Sequence, residues 1–282
     1  MKFNGERYVP SIEGSIALQH YHRYAFVTDC VNLQNLDVVD VACGEGYGSF
    51  FLSKYSKTIT GIDISEEAIT CARNTYVASN LRFVKGDVTL IPLPDHSADI
   101  VVSFETIEHH DKHHEMMSEI IRVLKPEGLL FISSPDKGFY EKYYPGQHNP
   151  HHVKELYKNE FHALLESYFI FNKHFMQNNI YGSCITSELH YKTDVSIPLH
   201  HNKNTGESIP LESRFNISVA SNVAIHIRPP MSVFSYGSER DILTELQRAQ
   251  NELSGIYTSF SWKVLSIVKY PIRIIRKKFK IC

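Results

Sequence analysis

The sequence predicts an α/β protein with a mainly parallel sheet and helices on both of its faces. Between residues 37 and 134, short apolar runs alternate with amphipathic segments, as in successive β-α-β units. The first of these runs leads directly into a glycine-rich turn. Aspartates stand at or just after the ends of the first three runs, where ligands bind in open α/β sheets.

Seven strands are expected in the sheet. Five of them lie in the alternating region, at Val38 to Val41, Thr58 to Asp63, Leu81 to Lys85, Asp99 to Ser103 and Leu129 to Ser133. Helices are predicted between them, at Gly48 to Lys54, Glu66 to Val77 and His113 to Leu124. A Lys125-Pro126-Glu127-Gly128 turn is expected to stop the last helix. Tyr168 to Met176 and Phe215 to Ala220 supply the final two strands.

Composition disfavours membrane-spanning, secreted and nucleic-acid-binding proteins. At 282 residues with 43% hydrophobic content, the chain can bury a full core. It has no run of eighteen apolar residues, and its first residues do not resemble a secretory signal, so we expect a cytoplasmic protein. The five cysteines show no C-x-x-C spacing, which disfavours disulfides and zinc knuckles. A net charge of −2 predicts no nucleic-acid partner.

Three segments are predicted along the chain. Residues 1–236 form the main domain, with insertions near 135–160 and 178–214. Residues 237–257 form a C-terminal helical extension whose apolar positions are spaced as in a coiled coil, namely Ile242, Leu246, Ala249, Leu253 and Ile256. This helix either packs on its own domain or makes the protein a homo-oligomer.

Residues 258–282 form a basic amphipathic tail, with no acidic residue from Trp262 onward. Such a segment suits an anionic membrane surface, and Pro271 would kink it if it were helical. The alternative is a solvated extension.

The glycine-rich turn indicates the cofactor. Gly44-Glu45-Gly46-Tyr47-Gly48 spaces its glycines two and two, unlike the two-and-three spacing of dinucleotide-binding loops. Asp40 precedes the turn and would repel a pyrophosphate, whereas it can orient the ammonium of a methionine moiety. The pattern therefore predicts S-adenosylmethionine.

The next two aspartates fit the same cofactor. Asp63 stands at the end of the second strand, where a carboxylate accepts both ribose hydroxyls. Asp87 follows the third strand, where it accepts the adenine amino group or, alternatively, caps its own loop. All of these groups are expected to converge on one crevice.

The chain resembles the class I S-adenosylmethionine-dependent methyltransferases. The resemblance is carried by DVACGEGYGS, GIDIS, GDVTLIPLPDHSADIVVSFETIEHH and VLKPEGLLFISSPDKG, and it extends from about Phe3 to Val223. NGERYVP, HYHRYAF and NPHHVKEL are similar to methyltransferases of bacterial O-antigen and surface-polysaccharide gene clusters, including the methyltransferase part of the chain-terminating methyltransferase-kinase. YTSFSWKVLSIVKYPIR is similar to a tail on enzymes of surface-polysaccharide assembly.

The resemblance implies a Rossmann-like fold and a methyl transfer. The expected acceptor is an oxygen of a glycan, either a sugar hydroxyl or a terminal phosphate, on a carrier at the inner membrane face. A small-molecule O- or N-methyltransferase and a non-catalytic scaffold of a polysaccharide-assembly complex are the alternatives. The residues expected to hold the cofactor are Arg23, Tyr24, Asp40, Ala42, Gly44, Gly46, Asp63, Ile64, Asp87, Val88, Phe104 and Glu105.

Arg23 has a competing explanation. It either clamps the cofactor carboxylate or forms a structural salt bridge. Tyr24 is expected to close over the methionine end.

Histidines after the fourth strand are the candidate catalytic groups. His109 is expected to act as the general base, with His110 beside it. Alternatively, the loop only shapes the pocket and the proton leaves through water. A metal site formed by His110, Asp111, His113 and His114 is disfavoured, since no second motif completes it.

Residues beyond the fifth strand are expected to contact the acceptor. A sugar ring can stack on tyrosine, and histidines can bind its hydroxyls. The predicted acceptor-binding residues are Tyr140, Tyr144, His148, His151 and His152. Ordinary loop packing is the alternative explanation.

Overall fold

The structure is a computed structural model that describes residues 15–180, 182–187, 214–227 and 231–234. All of them belong to the first of two compact units, Met1–Phe234. The predicted coiled-coil helix and basic tail lie outside the described residues, as does most of the predicted insertion at 178–214.

One sheet of nine strands organises the described residues. In chain order the strands are β1 (Asp37–Val41), β2 (Thr58–Asp63), β3 (Leu81–Lys85), β4 (Ala98–Phe104), β5 (Leu124–Pro135), β6 (Phe171–Ile180), β7 (Gly182–Ser187), β8 (Phe215–Ser221) and β9 (Met231–Phe234). Their spatial order is β3-β2-β1-β4-β5-β8-β6-β7-β9. The first five are parallel, and each later pairing is antiparallel.

The predicted seven strands are present, but the sheet is larger and mixed. Strand β8 runs opposite to β5 and β6, between which it lies. Strand β7 occupies the start of the segment predicted as an insertion, and β9 extends the edge beyond it. These two strands have six and four residues. Strands of similar length were predicted in the alternating β-α-β region, but β7 and β9 lie outside that region and so lack its pattern.

Helices flank the sheet. They are α1 (Ser15–Cys30), α2 (Tyr47–Ser53), α3 (Glu66–Thr75), α4 (His113–Val123), α5 (Lys137–Tyr143) and α6 (Lys158–Glu166), with a 3-10 turn at Ile107–His109. The Ser65 side chain caps α3 by accepting from the Ala68 amide at 3.2 Å, as expected of serine at a helix start. Among the described residues, no helix has the length and apolar character needed to cross a membrane.

The predicted turn after α4 is a bulge instead. The helix ends at Val123, and β5 begins at the next residue. Its pairing with β4 then jumps from Ala98 opposite Leu124 to Ile100 opposite Leu129. Lys125 to Gly128 are therefore accommodated as extra residues in β5, because a bulge absorbs an interruption without ending the strand.

Apolar layers on both faces hold the sheet rigid. On one face, Phe26 of α1 packs against Phe131 and Phe175, with ring centroids 6.3 and 4.9 Å apart. On the other face, α4 buries Met116 and Ile120 against the neighbouring strands. The carboxyl ends of the parallel strands are thereby fixed relative to one another, and the candidate site is built on them.

Candidate functional site

A cavity of about 870 Å³ opens at the carboxyl ends of the parallel strands. It lies where β2 and β4 pair with opposite sides of β1, the position at which ligands bind in open α/β sheets. Its walls include Ala42 and Gly44 after β1, Asp63 at the end of β2 with Ile64 after it, and Val88 after β3. The predicted convergence of these segments on one crevice is therefore observed.

The glycine-rich turn has a left-handed backbone. The φ angles of Ala42, Gly44 and Gly46 are 60°, 55° and 85°. Gly44 lines the cavity, and its amide donates to Oδ2 of Asp63 at 2.9 Å. Gly46 is buried and does not line it, and a Cβ there would lie 2.5 Å from the Phe83 ring. Gly46 thus packs the turn closely onto α3 and β3, and its contact with the cofactor stays a prediction.

Asp40 lies beneath the cavity wall rather than in it. Its side chain is fully buried and accepts hydrogen bonds from Ser49 Oγ at 2.6 Å and from the Tyr24 hydroxyl at 3.2 and 3.3 Å. Burial raises the pKa of Asp40 to about 7, and the nearby charge of Asp63 adds to this effect. The expected direct contact with an ammonium group is not what the geometry shows. Asp40 instead positions Tyr24, which does line the cavity.

Asp63 and Asp87 both reach the cavity and both brace their own loops. Asp63 accepts from the amides of Gly44 and Ser65, at 2.9 and 2.8 Å. Asp87 Oδ1 accepts from the amide and hydroxyl of Thr89, each at 2.8 Å. The Thr89 amide is the main reason that the pKa of Asp87 is lowered. Asp87 therefore both caps its own loop and lines the cavity.

Arg23 forms the structural salt bridge that was the alternative to a cofactor clamp. Its Nη2 lies 3.5 Å from Oε2 of Glu105, and its Nε donates to Gln177 at 2.8 Å. The guanidinium also stacks over the Phe215 ring, 4.5 Å from its centroid. Arg23 is absent from the cavity wall, whereas Glu105 and Phe104 belong to it. Arg23 therefore holds Glu105, whose φ of 52° is left-handed.

The two candidate catalytic histidines differ in their surroundings. Both line the cavity. His109 Nδ1 lies 3.0 Å from the carbonyl oxygen of His151. Since a carbonyl only accepts, Nδ1 carries a proton, and Nε2 is the basic nitrogen of the neutral ring. His110 Nδ1 accepts from the Lys112 amide at 3.2 Å, and burial lowers the pKa of His110.

Glu108, His109 and His152 form a compact cluster in the cavity wall. One ligand-type atom from each lies within 4.8 Å of the others. Glu108 is 1% exposed, and its pKa is raised well above the ordinary value by burial and then by Glu105. The rings of His109 and His152 meet edge to face at 5.1 Å. Sequence reasoning missed this cluster, because His152 is distant in the chain.

The histidines at the start of α4, whose metal site was disfavoured, form other contacts. His113 Nε2 donates to the carbonyl of His110 at 2.8 Å, and His114 Nδ1 lies 2.9 Å from the Tyr168 hydroxyl. These contacts fasten the start of α4 to its preceding loop and to Tyr168.

The five predicted acceptor residues all line the cavity, at Tyr140, Tyr144, His148, His151 and His152. Tyr140 and Tyr144 lie with ring centroids 5.8 Å apart. Arg214 donates to the Tyr140 hydroxyl at 3.3 Å and also lines the cavity. Sequence reasoning missed Arg214 and Phe215, since a lone basic residue before a strand carries no signal of its own.

Similarity to known proteins agrees with this architecture. Residues 39–132 match the family model described as a methyltransferase domain. A relative from Mycolicibacterium smegmatis, named "Probable S-adenosylmethionine-dependent methyltransferase", is 31% identical over 170 residues, or 59% of this chain and 64% of its own length. The fatty-acid O-methyltransferase of the same organism is 31% identical over 119 residues, or 42% of each chain. The chain thus spans less than two thirds of the length of either relative.

A solved structure shares the fold. An S-adenosylmethionine-dependent methyltransferase of Thermotoga maritima superposes with a TM-score of 0.53 at 17% identity, over 73% of this chain and 90% of that one. At this identity the similarity shows the fold alone.

Proposed function

We propose that this protein transfers a methyl group from S-adenosylmethionine to an oxygen atom of a glycan. Its residues 39–132 match a methyltransferase domain, which supports the choice of cofactor. The observation that carries the proposal is the continuity of the cavity. One cavity extends from the strand ends at Asp63 and Asp87, past His109, to Tyr144 and His148. Cofactor and acceptor can therefore meet within it.

In this proposal, His109 takes the acceptor proton. Methyl transfer from a sulfonium requires the nucleophile and the methyl carbon to be held in line at close range. As the new C–O bond forms, the C–S bond breaks and the hydroxyl proton must leave. The hydrogen bond from His109 Nδ1 to the His151 carbonyl leaves Nε2 as the nitrogen that accepts a proton.

The composition of the acceptor wall favours a sugar. Tyr140 and Tyr144 present aromatic surface, while His148, His151 and Asn149 provide polar atoms. Binding sites of polar ligands combine such flat apolar surface with a few placed hydrogen-bonding groups. A terminal phosphate would use the same polar groups. In this proposal, residues 258–282, which lie outside the described residues, hold the protein at the cytoplasmic membrane face through their basic charge.

A lipid acceptor is the second candidate. It is favoured by the printed name of one relative, a fatty-acid O-methyltransferase that is 31% identical over 119 residues. In that case the nucleophile would be a carboxylate, which has no proton to lose at neutral pH. A base at position 109 would then be unnecessary.

The two candidates are separated by an acceptor panel. The full chain is incubated with S-adenosylmethionine carrying a labelled methyl group, and with nucleotide sugars, lipid-linked glycan or free fatty acids. Mass spectrometry then locates the label. Labelled glycan supports the proposal, and labelled fatty acid alone supports the second candidate. Turnover of none, together with no binding of S-adenosylmethionine by calorimetry, would favour a scaffold.

A further inference from the structure

We infer that Glu108, His109 and His152 bind one divalent transition-metal ion, of the Zn²⁺ or Mn²⁺ class, in the acceptor half of the cavity. The three residues come from the 3-10 turn after β4 and from the segment between α5 and α6. Its ability to bind an ion does not depend on the identity of the acceptor. Its role in methyl transfer rests on the proposed function.

The three side chains are close enough to share an ion. Their ligand-type atoms all lie within 4.8 Å of one another. Two atoms bound to one Zn²⁺ at about 2.1 Å are at most about 4.2 Å apart. Small rotations of the side chains are therefore sufficient to close the site. The backbone already joins the two segments, since the amides of Val153 and Lys154 donate to the Glu108 carbonyl at 2.8 and 3.1 Å.

An unsatisfied carboxylate oxygen is the second observation that points to a cation. Glu108 is 1% exposed, and among the described residues its Oε2 has no hydrogen-bond partner. A buried carboxylate without a partner is costly, and buried charges are paired or coordinate metals. Arg23 forms its ion pair with Glu105, at 3.5 Å, and its Nε donates to Gln177 at 2.8 Å. Glu155 adds a further acidic group to the same wall.

The surroundings of both histidines match those of metal ligands. A metal-bound imidazole typically donates its other N–H to a carbonyl or a carboxylate. His109 Nδ1 donates to the His151 carbonyl at 3.0 Å, and His152 Nδ1 is hydrogen-bonded to Glu155. His152 Nε2 then faces the Asn149 amide at 2.9 Å, a contact that an ion would replace.

The donor set decides which ions suit the site. Imidazole ligands favour zinc and its neighbours, whereas Mg²⁺ and Ca²⁺ prefer sites built from oxygen alone. Three protein ligands are also typical of catalytic zinc, which keeps one coordination position for water or substrate. Facing the cavity, that position takes the acceptor oxygen and lowers its pKa. With an ion bound, His109 Nε2 is a ligand and not the base, so the hydroxyl proton passes to solvent as the C–S bond breaks and the C–O bond forms.

Metal binding is tested directly on the full chain without a polyhistidine tag. After chelator treatment, Zn²⁺, Mn²⁺ and Mg²⁺ are each titrated by calorimetry, and bound metal is counted by elemental mass spectrometry. We expect one Zn²⁺ or Mn²⁺ per chain. Glu108→Gln and His152→Gln should each weaken binding at least about 100-fold, and Glu155→Gln by about 10- to 100-fold. His114→Gln removes a neighbouring exposed histidine and should change nothing.

Circular dichroism and S-adenosylmethionine binding confirm that each variant is folded. The inference is overturned if the folded wild type binds neither Zn²⁺ nor Mn²⁺, or if Glu108→Gln and His152→Gln bind as tightly as the wild type. Metal binding is measured without an acceptor, so a failure of the glycan proposal leaves this result intact. Undiminished methyl transfer by metal-free protein would overturn the role in acceptor activation.

Discussion

Replacing Asp40 by Asn is expected to stabilise the protein at pH 8 and to flatten the dependence of its stability on pH. The carboxyl group is fully buried, and burial raises its pKa from 3.8 to about 7. At pH 8 the native protein must therefore hold an ionised carboxylate in its core. Asn has nearly the same shape, and its oxygen can still accept from Ser49 or Tyr24.

The direction in which stability changes with pH follows from the protonation of Asp40 in the folded and unfolded states. Between pH 4 and pH 7, roughly, the folded state retains a proton on Asp40 that the unfolded state has lost, so stability falls as pH rises through this range. The contribution is fully present below the unfolded pKa of 3.8 and is lost above about pH 7. A difference of about 3 pKa units corresponds to about 4 kcal/mol. Losing one hydrogen bond to Asn costs about 1 kcal/mol, which leaves a net gain of about 3 kcal/mol at pH 8.

Urea unfolding at pH 5 and pH 8 measures this gain. Asp111→Asn is the matched control, because Asp111 is exposed. We expect the stability advantage of Asp40→Asn to grow between the two pH values, while the control follows the wild type. Identical pH profiles for Asp40→Asn and the wild type would refute the assignment of a raised pKa. Calorimetry should also show nearly unchanged S-adenosylmethionine binding, and complete loss of binding would restore a direct role for Asp40.

Three further predictions concern the glycine-rich turn and the cavity. Gly46→Ala should cost about 2–4 kcal/mol in urea unfolding, because its Cβ would lie 2.5 Å from a ring atom and its φ is 85°. Gly44→Ala, with nothing within 4 Å, should cost only about 1 kcal/mol. His109→Ala should keep S-adenosylmethionine binding but lower turnover about 100-fold, whereas His114→Ala should not lower it. Tyr144→Ala should raise the acceptor KM and leave the cofactor Kd unchanged, as checked by steady-state kinetics and calorimetry.

The central strands were predictable because burial on both faces of a parallel sheet leaves a strong apolar signal. The predicted and observed bounds of β2 and β3 are the same, and those of β1 differ by one residue. Strand β9 escaped prediction because its four residues lie outside the alternating β-α-β region. The start of β5 was mistaken for a turn, since a bulge and a turn use the same proline and glycine.

Asp40 shows that the sequence held a signal that was not used. Successive side chains of a strand point to opposite faces. Val39 and Val41 belong to the core cluster packed against α4, whereas Val38 belongs to the cluster on the α1 side. Asp40 shares the face of Val38, so alternation alone directs its carboxylate toward α1 and Tyr24 rather than toward a ligand beyond the strand end. Applied to β1, the same alternation would have predicted that Asp40 positions Tyr24 and does not itself contact the cofactor.

The cluster of Glu108, His109 and His152 is a case in which spacing along the sequence is misleading. His110, His113 and His114 stand at helical spacing, which suggests a shared ligand, yet their nitrogens bind the loop and Tyr168. His109 instead meets His152, although the two are far apart in the chain. Their approach depends on Glu108, whose carbonyl accepts two amides of the distant segment while its carboxylate joins the cluster. These backbone contacts are made only in the folded chain. No sequence motif therefore reveals that Glu108 both holds the distant segment and belongs to the cluster.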